Sequence, residues 1–171
     1  MNIGILGTGR MGAAIAERLL DNGHSVSVWT RTPAKTKALT ERGAHLAASP
    51  AELVARSEIV LSVLTDAKAI EATYAGPAGV LSGPIDGKLF IEMSTVRPAT
   101  QMALAERIRA KRGAMLECPV GGTVGPARNG KLLGFVGGKA EDVARARPLL
   151  EQMCRRFEHV GDIGAGASMK L

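Results

Sequence analysis

Three glycines near the start of the sequence have the spacing that binds nucleotide phosphates. Gly7, Gly9 and Gly12 form a G-x-G-x-x-G motif between an apolar strand at residues 2–6 and an amphipathic helix at residues 10–21. In this motif the first glycine permits a tight turn, the second lets a pyrophosphate approach the backbone, and the third lets the helix pack on the strand. The helix N-terminus offers N–H groups to the anion. We therefore predict a dinucleotide site; the alternatives are a glycine turn without a ligand and a methyltransferase-type nucleotide site.

The end of the second predicted strand, residues 26–30, indicates which dinucleotide would bind. An Asp or Glu at this end binds the free ribose 2′-hydroxyl of NAD and would repel a 2′-phosphate. The sequence instead continues with Thr30, Arg31 and Thr32, and Lys35 follows one helical turn later. Arg31 can bind a 2′-phosphate through two hydrogen bonds, Thr32 adds a hydroxyl and Lys35 a second cation. NADP(H) is therefore favoured over NAD(H), unless Arg31 is a surface charge or stacks on the adenine.

A second glycine-rich turn, residues 117–130, follows another predicted strand. Gly121, Gly122 and Thr123 could present consecutive backbone N–H groups as a small anion nest for a carboxylate, although a turn without a ligand is equally compatible. Near the end of the chain, Lys170 lies one turn into a helix that begins at a glycine-rich hinge. Taken alone, a penultimate lysine is typical of a solvated chain end.

Short β-branched strands alternate with longer helical segments along the sequence. This hydrophobic periodicity predicts an α/β fold with a doubly wound, mainly parallel sheet and ligands bound at the C-terminal ends of the strands. We expect one dinucleotide-binding domain over residues 1–163 and the start of a further helix over residues 164–171. The predicted strands lie at residues 2–6, 26–30, 44–47, 59–64, 89–93, 114–118, 132–136 and 156–160, and the longer helices at residues 10–21, 33–41, 98–111 and 140–153.

The composition excludes several classes of protein. Of 171 residues, 46% are hydrophobic and 21 are Gly, which suits one globular domain with many tight turns. No apolar run reaches the roughly 18 residues that a membrane span needs, and the first residues do not resemble a signal or transit peptide. We therefore expect a cytoplasmic protein with no membrane partner.

The formal net charge of +6 would suit a nucleic-acid partner, but three Phe, one Tyr and one Trp are too few for a base-stacking platform. We expect no nucleic-acid partner, and the charge can instead attract an anionic small molecule. Cys118 and Cys154 have no histidines at metal-ligand spacing. They are predicted to be buried thiols, forming neither a disulfide nor a metal site.

Four motifs that follow one another along the chain resemble those of the β-hydroxyacid dehydrogenases, a family that includes 3-hydroxyisobutyrate dehydrogenase. Together they extend over essentially the whole sequence. They are the G-x-G-x-M-G opening at residues 7–12 with Gly-His-x-Val at residues 23–26, the Ser-Thr loop at Ser94 and Thr95, the glycine-rich motif at residues 119–132, and the G-x-G-x-x-x-K of Gly164, Gly166 and Lys170.

The resemblance implies a Rossmann fold and reversible hydride transfer between NADP(H) and a short β-hydroxy acid or its semialdehyde, so that the partner is a small carboxylate. It implies that Lys170 is the general acid/base and that the substrate is bound by Ser94, Gly121, Gly122 and Thr123. Together with the patterns above, it assigns cofactor contacts to Gly7, Thr8, Gly9, Arg10, Met11, Gly12, Thr30, Arg31, Thr32, Lys35, Leu64, Thr65 and Thr95.

The sequence departs from the family pattern at the substrate motif. Glu117 replaces the usual Asp, Gly121 replaces a serine, and Thr123 and Pro126 replace glycines, so the identity of the acid stays open. Family members also continue into an all-helical second domain that forms much of their dimer. We expect that domain to be absent here, so that this chain binds cofactor with little turnover and the intact protein is a homo-oligomer. Two alternatives remain: a non-catalytic NADP-binding module, and an imine reductase, which shares the cofactor half but usually lacks the lysine.

Overall fold

The computed structural model describes residues 1–170, in which strands and helices alternate. The strands are β1 (Asn2–Leu6), β2 (Ser25–Trp29), β3 (His45–Leu46), β4 (Ile59–Ser62), β5 (Leu89–Glu92), β6 (Ala114–Glu117), β7 (Val120–Gly121), β8 (Leu132–Gly137) and β9 (Cys154–Gly161). The α-helices are α1 (Arg10–Asp21), α2 (Lys37–Glu41), α3 (Pro50–Ala55), α4 (Ala67–Ala75), α5 (Pro98–Ala110), α6 (Val124–Arg128), α7 (Ala140–Met153) and α8 (Ala165–Lys170).

One sheet contains all of these strands. Its order is β3-β2-β1-β4-β5-β6-β8-β7, and β9 pairs with β8. The first six strands are parallel, whereas β8 runs antiparallel to β6 and β7. The chain winds outward from β1 to β3 and then returns to β4 on the other side of β1. The predicted doubly wound, mainly parallel α/β fold is confirmed, and the reversal of direction places a crevice at the C-terminal ends of β1 and β4.

Both faces of the sheet are covered, so its central strands are apolar on both sides. Ile5 of β1 packs with Ile15 of α1 and Leu149 of α7 on one face. Phe90 of β5 packs with residues of α3, α4 and α5 on the other face, including the fully buried Tyr74. Successive residues of a strand point to opposite faces of the sheet, so neighbouring side chains at a strand end belong to different clusters and face different helices.

The structure differs from the expected elements in several places, and β7 and α6 have no counterpart among the predicted strands and helices. Helix α4 was not predicted, because its alanine-rich sequence has little helical periodicity; it begins where the Asp66 carboxylate accepts the Ala69 N–H at 2.8 Å. The predicted helix at residues 33–41 divides into a 3₁₀ turn, Pro33–Thr36, and α2. Strand β9 begins earlier than expected, at Cys154.

Two further features concern the cysteines and the hydropathy of the helices. Cys118 and Cys154 are buried and free, as predicted. Among residues 1–170, no helix combines the length and the hydropathy that crossing a membrane requires.

Candidate functional site

The first glycine turn connects β1 to α1 at the crevice. Gly7 has a φ of +94°, which favours glycine, and a Cβ on it would overlap the Val63 carbonyl oxygen. A Cβ on Gly12 would overlap the Gly7 carbonyl oxygen, so helix α1 can approach the turn closely only with glycine there. A Cβ on Gly9, by contrast, would meet no atom within 4 Å. The backbone at Gly9 is therefore open to a ligand, which is the arrangement that a pyrophosphate requires.

The N-terminus of α1 offers hydrogen-bond donors beside this turn. Within residues 9–21 no side chain caps the helix, and its first turn contains no acidic residue. The nearby Thr8 is only 6% exposed, and its Oγ1 has no hydrogen-bond partner among the described residues. Free helix N–H groups and an unpaired buried hydroxyl fit a bound pyrophosphate, which would accept their hydrogen bonds.

A pocket of about 240 Å³ opens at the carboxyl ends of β1, β2 and β4. It brings together nine of the predicted cofactor residues: Gly7, Thr8, Gly9, Thr30, Arg31, Thr32, Lys35, Leu64 and Thr65. Arg31 and Lys35 are exposed, and neither has an ion-pair partner among residues 1–170. Two unpaired cations beside a glycine turn make this pocket suited to a polyanion.

Sequence reasoning missed four residues that line this pocket. Trp29 and Val63 lie at the ends of β2 and β4, and Ala69 and Thr73 lie on α4. The strand-end positions follow from the parallel fold and could have been included. The two residues on α4 could not, because that helix was not predicted.

The other four predicted cofactor residues lie outside the pocket lining. Gly12 packs against the turn itself, and Met11 is half-buried behind it. Arg10 is exposed in a neighbouring groove with Thr123, Gly125 and Arg128, between α1 and α6. Thr95 is exposed in the loop after β5. Arg10 therefore adjoins both the first glycine turn and the predicted substrate motif.

Three buried polar side chains end three neighbouring strands on the same face of the sheet. Ser62 of β4, Glu92 of β5 and Glu117 of β6 are in register and 0% exposed. Ser62 Oγ and Tyr74 Oη are hydrogen-bonded at 2.7 Å. The sequence signal for this row is a polar residue at the end of each apolar strand.

Glu92 organises the loop that contains Ser94. Its Oε1 accepts the Ser94 N–H at 2.9 Å, while Ser94 Oγ accepts the Leu64 N–H at 2.8 Å. Burial raises the pKa of Glu92 to about 7, against the lowering effect of hydrogen bonds from Ser94 and Ser62. Ser94 is 2% exposed and therefore lies behind the pocket wall, where it holds Leu64. Its predicted contact with substrate stays a prediction.

The predicted substrate motif, residues 119–132, runs from β7 through a short turn into α6 and reaches the start of β8. Gly121 belongs to β7 and pairs with Leu133, so of the three residues of the proposed anion nest only Gly122 and Thr123 follow the strand. Both are exposed, and Gly122 has a φ of +128°. In the adjoining groove the Arg128 Nε donates to the Glu17 carboxylate at 2.6 Å, whereas the exposed Arg10 has no ion-pair partner among the described residues.

Lys170 lies at the end of α8, as the glycine-rich hinge predicts. This helix packs against β8, β9 and α5, and the Lys170 side chain is exposed. In the described part of the chain, no group of three or more His, Cys, Asp or Glu side chains could hold a metal ion.

Comparisons with known proteins place these features in a family. Residues 2–161 match the family model of the NAD binding domain of 6-phosphogluconate dehydrogenase. A 3-hydroxyisobutyrate dehydrogenase of Pseudomonas aeruginosa is 41% identical over 170 residues, 99% of this chain and 57% of that protein. The Mycobacterium tuberculosis 3-hydroxyisobutyrate dehydrogenase structure with L-serine has a TM-score of 0.93 at 30% identity, covering 99% of this chain and 57% of that one. An imine reductase of Myxococcus stipitatus in complex with NADP⁺ has a TM-score of 0.92 at 25% identity, covering 99% and 58%.

The chain therefore spans less than three fifths of the length of these proteins. It aligns with the cofactor-binding part of β-hydroxyacid dehydrogenases, as the four motifs predicted. The chain belongs to the family of the NAD binding domain of 6-phosphogluconate dehydrogenase.

Proposed function

We propose that this chain is the cofactor-binding part of an NADP-dependent oxidoreductase that acts on a short β-hydroxy acid or the corresponding semialdehyde. The observation that carries the proposal is the pocket that Arg31 and Lys35 line together with the open backbone at Gly9. The names of the dehydrogenases it resembles supply the reaction class. A bound nicotinamide cofactor would supply or accept the hydride.

The preference for NADP(H) rests on charge and geometry at the end of β2. None of the described residues that line this pocket carries a carboxylate, which would repel a 2′-phosphate. The Arg31 guanidinium can donate two parallel hydrogen bonds to phosphate oxygens, and Lys35 adds a second positive charge nearby. The Lys35 N–H donates to the Thr32 carbonyl at 3.1 Å, which keeps these residues in one turn.

Lys170 is the general acid/base in this proposal. It would donate a proton to the carbonyl oxygen of the semialdehyde during reduction and accept one from the hydroxyl during oxidation. The Lys170 side chain is exposed here, so residues 1–170 do not enclose a substrate against it. Since precise placement of reactants contributes roughly 7–11 kcal/mol to rate enhancement, we propose that the 171-residue chain alone binds cofactor but turns over little.

Calorimetric titration of the chain with NADPH and with NADH tests the cofactor assignment. Losing the charge-assisted hydrogen bonds to the 2′-phosphate should weaken NADH binding by about tenfold or more relative to NADPH. Equal affinities, or tighter binding of NADH, would remove the role proposed for Arg31. Absence of binding to either dinucleotide would overturn the cofactor site as a whole.

A second candidate is an imine reductase, because the backbone superposes on an NADP⁺ complex of such an enzyme at a TM-score of 0.92. The dehydrogenase is favoured because Lys170 offers a proton-transferring group at the hinge. Joining residues 1–170 to the remaining part of the P. aeruginosa relative and assaying β-hydroxy acids against cyclic imines would separate the two. Reduction of imines alone would favour the second candidate.

A further inference from the structure

The last residue of β6 binds the first turn of α8. Glu117 is 0% exposed, and its Oε1 accepts backbone N–H groups from Gly164 at 2.7 Å, Gly166 at 2.6 Å and Ala167 at 3.3 Å. Hydrogen bonds to a charged acceptor are about twice as strong as neutral ones. One carboxylate oxygen therefore satisfies most of the N–H groups that the start of this short helix leaves unpaired.

The surrounding backbone leaves room for a side chain of this length. A Cβ on Gly137, which pairs with Glu117 across β6 and β8, would overlap the same Oε1. A Cβ on Gly166 would overlap the Phe135 carbonyl oxygen and lie 3.0 Å from Glu117 Oε1. Glycine at both positions therefore lets the carboxylate reach α8 and lets α8 lie close to β8.

The side-chain hydrogen bonds of Glu117 are confined, among the described residues, to the start of α8. Glu117 Oε2 is buried and has no hydrogen-bond partner among the described residues. The three amides at the start of α8 therefore donate the hydrogen bonds that offset burial of this carboxylate, and removing them would leave a buried charge unpaired. Burial raises the pKa of Glu117, and these three amides lower it again.

Glu117 also joins two regions that the proposed reaction needs together. The chain passes from it through Cys118 into the strand and loop of Gly121, Gly122 and Thr123, while α8 ends at Lys170. We propose that Glu117 is a positioning residue that fixes the helix bearing Lys170 to the strand that leads into the substrate motif. Its importance for catalysis rests on the proposed role of Lys170, whereas the contact itself does not.

NMR of the 171-residue chain tests the positioning role without cofactor or turnover. In the wild type and in Glu117→Gln, whose carbonyl oxygen can accept the same bonds, we expect helical ¹³Cα shifts at residues 165–170 and protected amides at Gly164, Gly166 and Ala167. In Glu117→Ala the helical shifts should be lost and exchange of the three amides should accelerate by about tenfold or more. Met115→Ala, which truncates another fully buried side chain of β6, is the matched control and should not affect these amides selectively.

The conservative variants make the test decisive even if Glu117→Ala unfolds. Retention of α8 in Glu117→Gln together with displaced ¹³Cα shifts in Glu117→Asp, which is one methylene shorter, would support the proposal. Unchanged shifts and exchange at α8 in both Glu117→Asp and Glu117→Ala would overturn it, and so would equal loss of α8 in Met115→Ala. A failure of the dehydrogenase assignment would leave these results unchanged, because they depend only on the free chain.

Discussion

Glu92 and Glu117 lie side by side in register at the C-terminal ends of β5 and β6, and both are fully buried. Glu92 accepts the Ser94 N–H and thereby fixes the loop whose serine hydroxyl holds Leu64. Glu117 accepts three N–H groups at the start of α8. These two carboxylates therefore connect the rigid centre of the sheet to the segments that would surround a cofactor and a substrate.

Above neutral pH, the Glu92→Gln variant should have a higher free energy of unfolding than the wild type. Because burial raises the folded-state pKa from the usual 4.5 to about 7, the folded protein holds the proton more tightly than the unfolded chain. The wild type therefore loses stability as the pH rises from about 4.5 to about 7, by about 3 kcal/mol. Glutamine keeps an oxygen for the Ser94 N–H without carrying a charge. Urea unfolding between pH 4 and 8 should show the advantage of the variant growing over this interval.

Phe90→Leu provides the control for that experiment, because it alters a buried side chain on the same face of the same strand without changing a titratable group. Its effect on the free energy of unfolding should be the same at each pH. A pH-independent difference between Glu92→Gln and the wild type would contradict the raised pKa of the buried Glu92 carboxyl.

Gly9→Ala and Gly12→Ala should separate ligand binding from folding. A methyl group on Gly9 meets no protein atom within 4 Å, so the stability should change by less than about 0.5 kcal/mol. The same methyl group would occupy the approach of the pyrophosphate, so NADPH affinity should fall by about tenfold or more. A methyl group on Gly12 overlaps the Gly7 carbonyl oxygen and should cost roughly 1–3 kcal/mol of stability.

Thermal unfolding and calorimetric titration of the two glycine variants measure these effects. If Gly9→Ala bound NADPH as tightly as the wild type, the phosphates could not pass over this part of the backbone. If Gly12→Ala were as stable as the wild type, the close approach of α1 to the first turn would not be a structural requirement.

Much of the fold follows from local patterns in the sequence. Runs such as Ile59–Ser62 are buried on both faces and so read as central parallel strands, and glycine spacing located the first turn. Arg31 and Lys35 line the pocket because they follow the end of β2, and parallel strands end at one edge of the sheet. The position of a residue relative to the end of a strand is therefore enough to predict that it lies at this edge of the sheet.

The contacts that depend on tertiary packing could not be predicted in this way. Strand β8 runs antiparallel to β6 and β7, whereas a simple alternation of strands and helices would predict a parallel strand. The contact of Glu117 with Gly164 joins residues 47 positions apart. Likewise, the hydroxyl of Ser94 is turned to Leu64, 30 positions away, and no spacing rule within one strand or loop indicates this.

Arg31→Ala should reduce the preference for NADPH without affecting NADH. Removing the guanidinium eliminates charge-assisted hydrogen bonds to the 2′-phosphate, so the NADPH dissociation constant should rise by about 10–100-fold. NADH lacks that phosphate, and its dissociation constant should change little. Lys37→Ala is the matched control, because Lys37 is a nearby exposed cation that pairs with Glu41 and does not line the pocket. A parallel loss of both dinucleotides in Arg31→Ala would point instead to stacking on the adenine.

Lys170→Ala should separate cofactor binding from proton transfer. The side chain lies at the exposed end of α8 and does not line the pocket of the glycine turn, so the NADPH dissociation constant of the 171-residue chain should stay the same. When residues 1–170 are joined to the remaining part of the P. aeruginosa relative, the substitution should lower kcat by about 10²–10⁴-fold, the usual contribution of a general acid/base. Met169→Ala removes the neighbouring exposed side chain and should lower kcat far less. Full turnover in Lys170→Ala would assign proton transfer to another group, and a non-catalytic NADP-binding module would show no turnover in any of these chains.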